Sequence, residues 1–267
     1  MSSDQVAVVG AGVAGLAAAE ELARRGDVVV LDRLPVPGGV LHYDHRGVKE
    51  LATRCASAGV RWLLGTTAVR WEQGRLLAVG PQGIEWLAAS HLVFAGGSRP
   101  ATMAELPVAG PRLAGVLPAP VAIHLAEARV TLGRRVVILG QGAWAEAAHE
   151  AIAGQRSHIT VVTRDPADGA PFRHDAFISG WTPVAVAGRG RVSVLTLEKS
   201  GQQIVLDCDA VILAASPRPL RNVDGAIFEP AAGVTYVQPD ADAGTWEQAA
   251  SAARDMVSQV WQTEVTR

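Results

Sequence analysis

Residues 6–32 read VAVVGAGVAGLAAAEELARRGDVVVLD: an apolar run, a glycine-rich turn, a series of good helix formers and a second apolar run that ends in an acid. This order is typical of a β–α–β unit whose strands are buried on both faces. Gly10 permits a tight turn out of the first strand, Gly12 lets the backbone approach a pyrophosphate, and Gly15 lets the helix pack against the sheet. The stretch therefore predicts a dinucleotide-binding unit.

The residues that flank this turn complete the predicted site. Val13 and Ala14 lie in the turn before the helix, whose free N–H groups and positive dipole end attract a pyrophosphate. Asp32 lies where an acid accepts hydrogen bonds from the adenosine ribose, and Arg33 follows it. We expect these four residues and the three glycines to contact the cofactor.

A second unit of the same kind lies in the middle of the chain. Residues 136–152 read VVILGQGAWAEAAHEAI, in which Gly140 and Gly142 occupy the first two glycine positions and Ala145 the third. The next apolar run is followed by Arg164 rather than by an acid, and an arginine at this place suits the 2′-phosphate of NADP. The unit is predicted to bind NADP, NAD or another adenine nucleotide, or to keep the fold without a nucleotide.

The two halves of the chain show the same order of predicted elements, so the chain contains an internal repeat. In each half, three short segments separated by turn residues predict an antiparallel meander, and a buried strand follows it. We predict an α/β protein with two Rossmann-like three-layer (β-β-α) dinucleotide-binding domains, one over 1–108 with 218–267 and the second, over 109–217, inserted in the first. The predicted strands are 5–9, 28–31, 62–71, 76–79, 84–88, 91–95, 135–139, 159–163, 184–187, 192–198, 203–206, 208–214 and 234–237, and the predicted helices are 16–25, 47–58, 143–153 and 245–262.

Composition excludes several other classes of protein. The chain of 267 residues carries 24 Lys and Arg against 26 Asp and Glu, without a basic block, which argues against nucleic acid as a partner. Cys55 and Cys208 are far apart, so we expect neither a CxxC redox pair nor a metal site. No apolar run reaches the length of a membrane span, and we expect a soluble, cytoplasmic protein.

Several motifs together carry a family resemblance. The chain resembles the FAD/NAD(P)-binding flavoproteins of the pyridine nucleotide-disulfide oxidoreductase type over essentially its whole length. Because no cysteine pair exists, dithiol–disulfide exchange is excluded as its chemistry. The motifs are the first glycine turn with Asp32, the Pro37-Gly38-Gly39 segment, the run FAGGSRP at 94–100, the second glycine turn and the tail YVQPDADAG at 236–244.

The resemblance implies an FAD on the first unit and assigns further residues to it. Gly38, Gly39 and Val40 would line the flavin. Asp240 would hydrogen-bond the ribityl or pyrophosphate end of FAD, although Pro239 stands where the family has glycine. Ala95, Gly96 and Gly97, at the end of a central strand, would also bind the cofactor.

One branch of the family resembles the chain more than thioredoxin reductases do. The stretches LP at 106–107, GVL at 115–117 and GRRVVI at 133–138 resemble subunits of hydrogen cyanide synthase, of dye-linked proline or hydroxyproline dehydrogenases and of sarcosine oxidase (its large subunit). In such complexes an amino-acid or amine substrate is oxidised on a second flavoprotein subunit, and the subunit that resembles this chain holds nucleotides and passes electrons.

The resemblance leaves two other functions open. In the first alternative the chain is a stand-alone NAD(P)H-dependent flavin reductase. In the second it is a non-catalytic nucleotide-binding scaffold subunit. His42, Tyr43 and His45 follow the glycine pair and are candidates for proton transfer at the flavin, because a histidine titrates near neutral pH. The alternative is that these three residues belong to a solvated polar loop.

Overall fold

The chain divides into two compact units. The computed structural model describes residues 5–41, 43–165, 175–215, 217–238 and 245–265. The first unit comprises Met1–Ser98 and Pro219–Arg267, and the second comprises Arg99–Arg218. The chain thus leaves the first unit earlier than the expected residue 108, because Met103, Leu106 and Val108 pack against the core of the second unit.

The secondary structure follows the predicted order of strands and helices. In chain order the elements are β1 (Val6–Val9), α1 (Val13–Leu22), β2 (Val28–Asp32), α2 (Arg46–Ser57), β3 (Arg61–Leu64), β4 (Thr67–Glu72), β5 (Arg75–Gly80), β6 (Gly83–Ala88), β7 (His91–Phe94), β8 (Ser98–Arg99), β9 (Val116–Pro118), α3 (Ala119–Glu127), β10 (Arg135–Leu139), α4 (Ala143–Ala153), β11 (His158–Thr163), β12 (Ala176–Ser179), β13 (Thr182–Arg189), β14 (Arg191–Lys199), β15 (Gln202–Asp207), β16 (Ala210–Leu213), β17 (Arg218–Pro219), β18 (Val234–Tyr236) and α5 (Trp246–Val265).

The first unit has three layers around a parallel sheet of order β18-β7-β1-β2-β3. The antiparallel meander β4-β5-β6 covers one face, and helices α1, α2 and α5 cover the other. Successive side chains of a strand point to opposite faces. Accordingly Val6 and Val8 of β1 pack in the core under the helices, whereas Ala7 packs in the core under the meander.

The last helix is an integral part of this first unit. Helix α5 packs along α1, where Arg254 donates a hydrogen bond to buried Glu20 at 2.8 Å. At its start the Trp246 ring lies against Gly47 of α2, where a Cβ would stand 2.3 Å from the ring. The first unit therefore takes its helical layer from both ends of the chain.

The second unit repeats the plan with a parallel sheet of order β12-β11-β10-β16-β9. Ile138 of β10 packs with α3 and α4, whereas Val137 and Leu139 pack under the meander β13-β14-β15. The predicted fold, with two Rossmann-like units of three layers each, is confirmed. None of the helices in the described ranges is long and apolar enough to cross a membrane.

Several elements differ from the sequence-based expectation, and the short strands β8, β9 and β17 are among those that were not predicted. The segment 62–71 was expected as one strand, but Gly65 (φ 69°) turns the chain so that β3 joins the parallel sheet and β4 the meander. Helix α3 was not predicted, because Pro120 reads as a helix breaker; it lies in the first turn, where a missing N–H costs nothing. Strand β12 was not predicted either.

Candidate dinucleotide site

Two glycines of the first turn are required by close packing. Gly10 adopts a φ of 111°, and a Cβ on it would lie 2.1 Å from the carbonyl oxygen of Ala95. A Cβ on Gly15 would lie 1.8 Å from the carbonyl oxygen of Gly10. These contacts hold β1 close to the end of β7 and seat α1 on the turn.

The surroundings of Gly12 differ from those of Gly10 and Gly15. A Cβ built on Gly12 meets no atom within 4 Å, and its φ of −77° is accessible to any residue. Gly12 is the N-cap of α1, and no side chain of the described residues caps that helix. The N–H groups at the start of α1, at Val13 and Ala14, thus border an open cradle with a positive helix end. This is the arrangement that binds a pyrophosphate.

Asp32 ties the end of β2 to this turn. One carboxylate oxygen accepts a hydrogen bond from the Ala11 N–H at 2.7 Å, and the other accepts from the Leu34 N–H at 2.8 Å. A carboxylate has about four lone-pair sites, so two remain for ribose hydroxyls. The sequence predicts the ribose contact but not that Asp32 also holds the backbone of the turn.

The segment after Asp32 returns to the glycine turn. The Gly38 N–H donates to the Ala11 carbonyl at 2.8 Å, and Gly38 forms a β-bridge with Gly12. Gly39 has a φ of 59°, and a Cβ there would lie 3.4 Å from the Gly12 Cα. Val40 is half-buried and Arg33 is exposed. The Gly38-Gly39 pair therefore lies directly beside the cradle, and its contact with a flavin stays a prediction.

On the other side of β1, the ends of β7 and β18 form a shallow cleft that is open to solvent. The Val237 N–H donates to the Phe94 carbonyl at 2.9 Å, which joins the two strand ends. Gly97, with a φ of 74°, faces open space. Arg221 and Tyr236 also line the cleft, and sequence reasoning assigned a role to neither: Arg221 belongs to no motif, and Tyr236 only begins the tail motif at 236–244.

Of the three candidates for proton transfer, the structure describes Tyr43 and His45. His45 is the N-cap of α2: its Nδ1 accepts a hydrogen bond from the Gly47 N–H at 3.1 Å, and its ring meets Trp246 edge-on. Tyr43 is 59% exposed. His42 and Asp240 lie outside the described residues. Among the residues that are described, the cradle has the features of a dinucleotide site but offers no evident acid or base.

The second turn shares the packing of the first. Gly140 has a φ of 121°, and a Cβ there would lie 2.6 Å from the backbone nitrogen of Ala215. Gly142 is the N-cap of α4, and Ala145 is fully buried at the third motif position. Glu146 in the first turn of α4 places negative charge at the helix end that would receive a pyrophosphate. The exposed Arg164 follows β11.

Both cysteines are buried thiols in separate units. Cys55 donates a hydrogen bond to the Leu16 carbonyl, and burial raises the pKa of its thiol to about 12. Burial likewise raises the pKa of the Cys208 thiol to about 11. Neither thiol has the lowered pKa of a redox-active cysteine.

We therefore expect both thiols of the native chain to resist labelling by a disulfide reagent at pH 8. With pKa values of about 12 and about 11, only roughly one in ten thousand and one in a thousand are thiolates at that pH. Both thiols should react promptly once guanidinium unfolds the chain. Rapid labelling of a native thiol would contradict this and would restore a cysteine to the candidate chemistry.

Comparison with known proteins agrees with the geometry of the site. A family model described as pyridine nucleotide-disulphide oxidoreductase matches residues 4–219. No curated protein sequence matches the chain at a significant level. Similar folds do occur among solved structures.

Three of these structures are informative. The 6-hydroxypseudooxynicotine amine oxidase of Pseudomonas geniculata N1 aligns with a TM-score of 0.67 and 19% identity, over 96% of this chain and 42% of that chain. L-proline dehydrogenase of P. horikoshii aligns at 0.62 and 16%, over 98% of this chain and 55% of that chain. Thioredoxin reductase of T. acidophilum aligns at 0.62 and 16%, over 98% of this chain and 100% of that chain. The chain thus spans about half the length of the first two proteins.

Proposed function

The chain belongs to the pyridine nucleotide-disulphide oxidoreductase family, and from this premise we propose that it is the FAD-binding, electron-transferring subunit of a heteromeric flavin-dependent amino-acid or amine dehydrogenase. Members of this family are FAD-dependent oxidoreductases. The observation that carries the proposal is the open cradle at Gly12, which lies beside a carboxylate and at an uncapped helix end.

The residues of the first unit suit FAD. The start of α1 and the open face of Gly12 would hold the pyrophosphate, and the remaining lone pairs of Asp32 would accept the ribose hydroxyls. Gly38 and Gly39 leave room beside the cradle, because neither carries a side chain. FAD itself, when bound, supplies the electron transfer, and the chain supplies binding and orientation.

Two observations support the proposal. The two cysteines lie buried in different units, so the chain has no dithiol with which to act on a disulfide substrate. Two solved structures of similar fold are an L-proline dehydrogenase and an amine oxidase, whose names give an amino acid and an amine as substrates. In the proposed complex a second flavoprotein subunit would take the amino-acid or amine substrate.

A stand-alone NAD(P)H-dependent flavin reductase is the second candidate. It is favoured by the thioredoxin reductase of T. acidophilum, whose whole chain is covered by the two units. In this case the second unit would bind the nicotinamide nucleotide, with Arg164 turned to the 2′-phosphate of NADP. Glu146 and Ala145 at the second turn argue instead for a looser nucleotide site or a purely structural unit.

Native mass spectrometry of the chain purified from its own host, with an absorbance spectrum, tests the proposal. We expect one bound FAD and a co-purifying flavoprotein subunit. A yellow chain without a partner, whose flavin is bleached by NADPH or NADH, would favour the stand-alone reductase. A chain that neither holds FAD nor takes it up on titration would refute the proposal and leave the scaffold role.

A further inference from the structure

The order of the strands gives the candidate site two sides. Strand β2, which ends in Asp32, pairs with β1 on one side, and β7 pairs with β1 on the other, with β18 beyond it. The cleft is lined by the residues that follow β7 and β18. A dinucleotide with its pyrophosphate on the turn after β1 therefore has its adenosine half at Asp32 and its other half at the cleft.

Arg221 is the cation of this cleft. Its guanidinium carbon lies 4.5 Å from the centroid of the Tyr236 ring, and Nη2 forms an ion pair with Glu229. The hydroxyl of Tyr236 donates to the Phe228 carbonyl at 2.8 Å, which fixes the ring on which the guanidinium stacks. Within the described part of the chain, Nε and Nη1 of Arg221 form no hydrogen bond, so part of the donor fork is available for a ligand.

We propose that Arg221 binds the pyrimidine edge of the flavin and raises the electron affinity of the ring. This inference rests on the proposed function, since it requires FAD at the first turn. The pyrimidine edge carries carbonyl oxygens and gains negative charge when the flavin is reduced. A guanidinium is planar, always charged and matches such an edge with parallel N–H donors.

The ion pair between Arg221 and Glu229 predicts the direction in which each variant changes the midpoint potential of the flavin. Glu229 has a half-exposed side chain and opposes part of the positive charge on Arg221. Removing the charge of Arg221 should therefore lower the midpoint potential of the flavin, and removing the charge of Glu229 should raise it. If this cluster had only a structural role, both variants would shift the midpoint potential of the flavin in the same direction.

The experiment compares four full-length chains loaded with FAD: the wild type, Arg221→Met, Arg221→Lys and Glu229→Gln. The midpoint potential of the bound flavin is measured against a reference dye, and the affinities for FAD and ADP are measured by calorimetry. We expect Arg221→Met to lower the potential and to weaken FAD about tenfold relative to ADP, the loss of one charge-assisted hydrogen bond. Arg221→Lys should show a smaller shift, and Glu229→Gln should raise the potential.

Arg75→Met is the matched control, because Arg75 also stacks on an aromatic ring, that of Trp86 on the meander of the same unit. It removes the same charge and should change neither readout. Unchanged potentials in both Arg221→Met and Glu229→Gln, or shifts of the same sign, would overturn the inference. If Arg221→Met does not fold, the sign of the Glu229→Gln shift still decides. A wild-type chain that binds ADP but not FAD would instead refute the proposed function itself.

Discussion

Gly12→Ala should leave the fold intact and weaken FAD binding, whereas Gly15→Ala should destabilise the fold itself. A methyl group at Gly12 enters open space at an ordinary φ, so the apoprotein should be as stable as the wild type or slightly more stable, by about 0.5 kcal/mol. The same methyl group fills the cradle and should weaken FAD more than about tenfold. At Gly15 it would collide with the Gly10 carbonyl, which should cost about 3 kcal/mol.

Thermal unfolding of the apoproteins and titration with FAD measure the two effects separately. A loss of about 3 kcal/mol corresponds to a decrease in Tm of roughly 6–12 °C for a unit of this size. Gly154→Ala is the control, because Gly154 at the end of α4 has a φ of −76° and also has no atom within 4 Å of its Cβ position. Full FAD affinity in Gly12→Ala would show that the cradle does not hold the cofactor.

The Asp32→Ala variant should be less stable than the wild type and should bind FAD and ADP more weakly. The Ala11 N–H is buried and would lose its acceptor, whereas the exposed Leu34 N–H can turn to water. We therefore expect the free energy of unfolding of the apoprotein to decrease by about 2 kcal/mol. FAD and ADP should both bind more than about tenfold more weakly, because the ribose contact and the shape of the turn are lost together.

Asp209→Ala separates the two roles of such a carboxylate. Asp209 accepts the N–H groups of Arg134 and Arg135, each at 2.9 Å, in the second unit. Its loss should destabilise the chain to a similar extent, measured by denaturant unfolding, and leave FAD affinity unchanged. If Asp32→Ala weakened FAD without any loss of apoprotein stability, Asp32 would be a ligand alone and would not hold the turn.

The glycine motifs and the repeat were readable from the sequence because each follows from local chemistry. Gly10 and Gly15 must lack a side chain for two backbones to meet, and that requirement appears as a pattern along one short stretch. A short continuous run of apolar residues likewise predicts a strand buried on both faces, as in β1 and β10. These parts of the fold depend on neighbours in sequence.

Other parts depend on residues that are distant in sequence. The cleft joins the ends of β7 and β18 with Arg221, and only the order of the strands brings them together. His45 was a reasonable candidate for proton transfer by position, but its Nδ1 accepts from the N-terminus of α2. Similarly, the boundary of the second unit falls before residue 103 because of where Met103 and Leu106 pack.

The position of α5 has a consequence for the order in which the chain becomes structured during synthesis. The second unit is one continuous segment, Arg99–Arg218, and all its strands are synthesised before β18 and α5. The first unit, although it begins at the N-terminus, still lacks the edge strand beside β7 and the helix that pairs with Glu20. The second unit is thus the first whose sheet is synthesised in full, and the first unit must wait for β18 and α5, with part of α1 uncovered until then.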